Sequence, residues 1–215
     1  MKKKELMPYL FLAPAVFFIL AFLAYPLLTV FFYSVQSYDV TKIADKGFVG
    51  FKNFKTLFAD KIFYRSLSVS VKWVLTEVVS QLVIGMILAL LLDKKFKGRG
   101  IYRCIVFFPW AVSGVLTSML WSLIYNENIG LLNSICKDLG LITKNMAWLG
   151  NMKTVFKSTA VAELWRGIPF FAITILAALQ NIPGDLHEAS VMDGANTLQE
   201  IFLIKIPILK DTIIL

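Results

Sequence analysis

Charged residues disappear from this chain over long intervals, and those intervals define its elements. Between Glu5 and Asp39 there is none, a run far longer than the roughly 7–15 apolar residues of a cleavable leader, which predicts a first spanning helix over about 9–33. A second apolar stretch, 66–92, carries Lys72 and Glu77 in its first half. About 20 residues cross a bilayer core, so Lys72 falls near one boundary and Glu77 about a turn inside it. The run 104–125 is charge-free and interrupted by Pro109, predicting a third span kinked where proline removes a backbone donor. The fourth, about 155–179, contains Glu163, Arg166 and Pro169. From Ile206 onward another apolar run begins and stops at Leu215, which reads as a chain cut short. The expected class is all-α, a polytopic membrane protein with four spans and the start of a fifth.

Composition supports the same reading. The chain is 58% hydrophobic with 18 Phe and a mean hydropathy of +0.71, above the roughly 45–50% apolar usage of soluble domains. A net charge of +8 invites a nucleic-acid partner, but the basic residues lie between apolar runs, where they orient spans and meet lipid headgroups. No nucleic-acid partner is expected. Residues 93–103 hold five Lys or Arg in eleven positions and the chain begins Met1-Lys2-Lys3-Lys4, whereas 39–65 holds six in 27. Basic density marks the cytoplasmic side, which places the N-terminus (1–8) inside a bacterial plasma membrane and returns the chain to the cytoplasm after Gln180. Residues 180–210 hold only Lys205 and Lys210 against Asp185, Glu188, Asp193 and Glu200, which cuts against this orientation; acidic residues count little in that rule, so the orientation rests mainly on the first three spans.

Between the fourth apolar run and the last lies a segment of different character, about 181–207. Glu188-Ala189-Ser190 is followed after three residues by Gly194, and after nine more by Ile204 and Ile206-Pro207. Asp185 and Glu188, then Thr197 and Glu200, stand at the three-residue spacing of reciprocal helix caps, and Gly194 can adopt the left-handed conformation that ends a helix. A helix, a turn and a second helix are expected, a stiff element able to move with the spans it joins. By local chemistry alone, Glu188 and Gly194 could simply start and stop that helix.

This spacing resembles the EAA loop of permease subunits in bacterial ATP-binding-cassette importers: Glu-Ala-Ala, three residues, Gly, nine residues, Ile, one residue, Leu-Pro. Ser190 replaces the second Ala and Ile206 replaces Leu, both conserving size or apolarity. Further pieces are similar to the carbohydrate-uptake branch. They include Gly50-Phe51-Lys52-Asn53-Phe54, Leu57-Phe58 with Asp60, Arg103, Pro109, Trp121, Gly130 with Asn133, and Trp148-Leu149-Gly150. Trp165, Pro169-Phe170, Leu179-Gln180 and Ile182-Pro183 continue the likeness into the loop. The resemblance implies a type I importer transmembrane fold, with a second homologous permease subunit, two ATP-binding subunits and an extracellular solute-binding protein as partners. It further implies that Glu188, Ala189, Ser190, Asp193, Gly194, Ala195, Ile204 and Pro207 form the docking loop for an ATP-binding subunit. The expected cargo is a sugar or related polyol. Another solute (a polyamine, an amino acid or an anion) and a membrane scaffold or polytopic enzyme are the alternatives.

Charged side chains inside a membrane are expensive and therefore functional candidates. Glu77, Glu163 and Arg166 qualify, and Trp165 and Phe170 add rings suited to a sugar's apolar face; these five are the candidate translocation path. Glu163 and Arg166, three apart, could instead pair with each other, and the aromatics could be packing. No catalytic residue is expected: the chain has no Gly-x-x-x-x-Gly-Lys-Ser/Thr phosphate loop and no His-Glu-x-x-His or Gly-x-Ser-x-Gly arrangement. Cys104 and Cys136 have no metal-ligand spacing and His187 is the single histidine, so neither a metal nor another cofactor is expected.

Overall fold

The structure, a computed structural model, describes residues 2–37, 47–94 and 96–214. Met1, Asp39, Lys42, Lys46, Lys95 and Leu215, on which parts of the expected ends and connectors rest, lie outside the described residues. The chain is almost wholly helical, as its apolar runs dictate, and divides within one long helix into two compact units, Met1–Ser70 and Val71–Leu215.

In the first unit α1 (Lys2–Ile19) passes through a π-helical turn (Leu20–Ala24) into α2 (Tyr25–Ser34). The cause is Pro26, which has no N–H and whose ring would strike the carbonyl four residues back. The preceding turn widens, so that the Tyr25 N–H donates to the Leu20 carbonyl, five residues earlier. Met7–Ser34 is 28 residues long with mean hydropathy 2.4, and none of its most apolar window is buried inside the chain. Such a surface has to meet lipid or other subunits. After it, β1 (Gln36–Ser37) pairs antiparallel with β2 (Gly47–Phe48). The Asn53 amide, from α3 (Lys52–Ala59), donates to the carbonyls of Ser34 (2.9 Å) and Gln36 (2.8 Å), which fastens the end of α2.

The second unit contains the remainder of α4 (Lys61–Asp93), then α5 (Arg99–Ala111), α6 (Gly114–Ile124), α7 (Leu131–Asp138) and α8 (Val155–Gln180). It ends with α9 (Gly184–Met192), α10 (Thr197–Gln199), a π-helical segment (Glu200–Lys205), α11 (Ile206–Ile208) and α12 (Lys210–Ile214). Helices α4 and α8 are each long and apolar enough to cross a membrane, with mean hydropathies of 2.2 and 1.5. They approach closely because Gly85 has no side chain: a Cβ there would lie 2.7 Å from Cβ of Phe171 and 3.1 Å from the Ala172 nitrogen. Small residues permit such backbone contact between membrane helices. Below that crossing Ala89 and Leu92 pack with Ile175, Leu176, Leu179 and Leu209 into the core.

The third apolar run departs from expectation. It is two helices bent by 95°, and the break falls at Val112 and Ser113 rather than at Pro109, which remains inside α5. Both residues adopt extended dihedrals, and the Ser113 hydroxyl accepts the Leu116 N–H at 3.3 Å. Ser113 is thus an N-cap that starts a new helix. Arg99 and Arg103 of α5 meanwhile donate to the carbonyls of Asp93 (3.4 Å) and Leu92 (3.3 Å) at the end of α4, where a helix presents unpaired acceptors and partial negative charge.

Candidate functional site: a coupling turn and an aromatic cavity

The Glu188 segment folds as a helix, a left-handed turn and a second helical piece. Gly194 has φ +76°. The Ala195 N–H donates to the Ser190 carbonyl (2.9 Å) and the Gly194 N–H to that of Val191 (3.0 Å), the paired bonds of a Schellman termination. The expected caps, however, shift. Helix α9 begins at Gly184 with Pro183 before it and no side-chain cap; Asp185 lies one residue inside, where its charge still complements the helix dipole. The second cap is Asn196 with Gln199 rather than Thr197 with Glu200. The Asn196 side chain accepts the Gln199 N–H at 2.9 Å and the Gln199 side chain accepts the Asn196 N–H at 2.8 Å.

That one-residue shift releases Glu200 for another task. It is 8% exposed, and its Oε1 lies 2.9 Å from His187 Nδ1 and 3.1 Å from Lys205 Nζ. One carboxylate therefore joins α9 to both ends of the π-helical segment. Burial pushes this carboxyl up, but the hydrogen bonds and charges of Lys205 and His187 outweigh it and hold Glu200 below its usual range. The widened turn has the same origin as the one before Pro26: Pro207 follows it, and the Ile206 N–H reaches back five residues to the Ile201 carbonyl.

Around this brace the loop shows a clear division. Glu188, Ala189, Asp193, Gly194 and Pro207 are exposed, Ala195 and Ile204 half-buried. Ser190 turns inward, 5% exposed, with its hydroxyl donating to the His187 carbonyl at 2.7 Å. It shapes the helix and offers no surface. Met192 is 87% exposed, and Val191 and Leu198 of the same loop are exposed as well.

The second feature is a cavity of about 500 Å³ between α4, α6 and α8. Its wall combines Trp73, Trp121, Tyr125 and Leu149 with the hydroxyls of Thr117, Ser118, Ser122 and Thr159 and the charges of Glu163 and Arg166. Of the five path candidates, Glu163 and Arg166 line it. They form no ion pair with each other: the ion pairs among the described residues are those of Glu200. Trp165 does not line it, its ring edge-on to the wall residue Trp121 at 6.1 Å. Glu77 does not line it either and is buried, accepting a 2.9 Å bond from Gln81 on one oxygen, while the other has no partner. Phe170 lies elsewhere, half exposed against Trp110. Sequence reading missed Trp73, Trp121, Tyr125 and the hydroxyl residues as cavity wall. The spacing of Gly114, Thr117, Ser118, Trp121, Ser122 and Tyr125 at intervals of three and four was the signal, one helical face that mixes rings with hydroxyls.

A multi-helix membrane chain with a polar, aromatic cavity among its long helices and an exposed rigid turn beyond them has the design of a transport permease. Comparison with known proteins makes this specific. Residues 81–215 match the family described as the binding-protein-dependent transport system inner membrane component. The trehalose/maltose transport system permease protein MalF of Thermococcus litoralis is 36% identical over 206 residues, 96% of this chain and 69% of the relative. A probable ABC transporter permease of Bacillus subtilis, YurN, is 33% identical over 97% of this chain and 72% of its own length. In structure, a chain of a bacterial ABC transporter that imports the acidic polysaccharide alginate superposes with a TM-score of 0.82 at 23% identity, covering 98% of this chain and 70% of the other. This chain belongs to the inner-membrane permease family of binding-protein-dependent ABC transporters, and its all-helical fold is that of the family.

Proposed function

We propose that this chain is a membrane-spanning subunit of an ATP-driven importer for a sugar or related polyol, with its N-terminus in the cytoplasm and the Glu188 turn on the cytoplasmic face. In this layout Met7–Ser34, α4, the bent pair α5–α6, and α8 occupy the membrane. A second permease subunit, two ATP-binding subunits and an extracellular solute-binding protein complete the machine. ATP is hydrolysed in the separate subunits. Relatives whose names specify trehalose and maltose and a structural neighbour that handles alginate support the carbohydrate class, as does a cavity whose rings can face a sugar's C–H surface while hydroxyls and charges meet its hydroxyls.

The observation that carries the reading is the exposed Glu188–Gly194 turn, braced internally by Glu200. Closure of the ATP-binding pair would push this turn as a solid piece and tilt α8 with it, opening the cavity to one side and then the other. Gly194→Pro tests the coupling, because proline cannot adopt a positive φ. In reconstituted transporter we expect uptake to fall at least tenfold while ATP hydrolysis continues and membrane insertion is unchanged. Wild-type uptake per ATP would reject the proposed role of the turn.

A further inference from the structure

Part of the cavity wall is held by a residue that does not line it. Asn133, in α7, is 2% exposed. Its Nδ2 donates to the carbonyls of Asn126 (3.4 Å), Glu127 (3.1 Å) and Met146 (3.1 Å). Its Oδ1 accepts from the Met146 N–H (3.1 Å) and from the indole N–H of Trp148 (3.0 Å). A side-chain amide has two donor hydrogens and two acceptor lone pairs, so its whole capacity is engaged, with one hydrogen shared. A single buried side chain thus ties the turn after α6 to Met146 and Trp148, 13 and 15 residues beyond Asn133 itself.

Trp148 is pinned a second time, where the Thr154 hydroxyl donates to its carbonyl at 2.8 Å. Its ring stands 6.5 Å from that of Tyr125, whose hydroxyl donates to the Ser158 carbonyl at 3.0 Å. Tyr125 and Leu149, the residue after Trp148, are both cavity wall. The route from the buried amide to the cavity is therefore short and continuous: Asn133 to Trp148, and Trp148 to Leu149 and Tyr125. Gly130 allows the turn to be this tight, because a Cβ there would run into the carbonyls of Ile124 and Asn126.

We infer that Asn133 and Trp148 form a fixed strap that sets the aperture at the Tyr125–Leu149 end of the cavity and thereby the length of saccharide the subunit admits. This rests on the reading of the cavity as the sugar path. Both are positioning residues that touch no sugar themselves. The aperture is rigid because moving Leu149 outward with Trp148 would strand a buried amide and an indole N–H, and moving Tyr125 would break its hydroxyl's bond to the Ser158 carbonyl.

Trp148→Phe is the sharp test, since it keeps an aromatic ring while removing the pyrrole half of the indole and with it the N–H bonded to Asn133; Asn133→Ala removes the whole strap. Both are assembled with the partner subunits and the native binding protein in proteoliposomes. Maximal uptake rates are then measured at saturating binding protein for linear gluco-, manno- and chito-oligosaccharides of one to five units. We expect Trp148→Phe to assemble normally with unchanged basal ATP hydrolysis. The ratio of long-chain to short-chain rates should shift several-fold, and in the same direction for Asn133→Ala. An assembled Trp148→Phe transporter with the wild-type dependence on length would overturn the strap even if Asn133→Ala does not assemble. Arg166→Ala and Trp121→Ala separate the two levels of the argument: if these wall variants, too, leave every rate unchanged, or if the wild type moves none of the panel, the sugar-path reading itself falls and the strap with it.

Discussion

Glu200 shows how much one carboxylate can decide. Its Oε1 receives His187 and Lys205 together, so removing the charge loosens α9 from the segment leading to Pro207. We expect Glu200→Gln to speed hydrogen exchange across 184–205 while leaving α4 and α8 protected; identical exchange would show the brace to be superfluous. The pH dependence follows from the same contacts. Because the folded-state carboxyl is held below its ordinary value of 4.5, its stabilisation is fully present above that value and is lost as pH falls through the lower folded value. Protection of the loop should therefore stay level from pH 8 to about 5 and decline only below about 4.5, a profile readable by pulsed exchange. Asn196 belongs to the same scale. Its reciprocal bonds with Gln199 make Asn196→Ala worth about 1 kcal/mol of local stability, measurable as several-fold faster exchange in α10.

At the scale of elements, the contact of α4 with α8 depends on Gly85. Any Cβ there meets the backbone of α8, and backbone cannot rotate aside as a flexible side chain can. Gly85→Val should push the helices apart, open the Ala89–Leu176 core, and lower the thermal midpoint of detergent-purified protein by several degrees. Gly167 is the instructive contrast, since a Cβ there meets the end of the Gln81 side chain rather than backbone, and Gln81 can move aside by giving up its bond to Glu77. Gly167→Ala should cost less than Gly85→Val in the same melt, and an equal loss at both sites would contradict this account of the packing. The two π-helical turns express one rule at this scale. Each precedes a proline, Pro26 or Pro207, and in each the residue just before that proline donates to the carbonyl five residues back. An interruption near those prolines was legible in the sequence. The form it takes was not, because widening the turn competes closely with kinking it.

At the scale of the whole molecule, a first span with none of its most apolar window buried and a polar loop that exposes Val191, Met192 and Leu198 leave a large apolar surface that the chain does not cover itself. If the Glu188 turn docks an ATP-binding subunit, a cysteine at exposed Ala189 should crosslink to that subunit in membranes, and one at buried Ser190 should not. Equal capture at both positions, or at neither, would speak against the proposed face.

The apolar intervals determined that this chain is helical and membrane-embedded, because a backbone without water must satisfy its own hydrogen bonds. The spacing from Glu188 to Pro207 placed the turn between two helical pieces and its left-handed glycine, since both depend on neighbours a few residues away. Tertiary structure alone decided the rest. It broke the third run at Ser113, moved the second cap to Asn196 and so turned Glu200 inward. It also gathered Trp73, Trp121, Tyr125, Glu163 and Arg166 around one cavity while sending Phe170 elsewhere. Those outcomes depend on which faces of α4, α6 and α8 meet, and long helices that are apolar on every side carry almost no periodic signal of that choice.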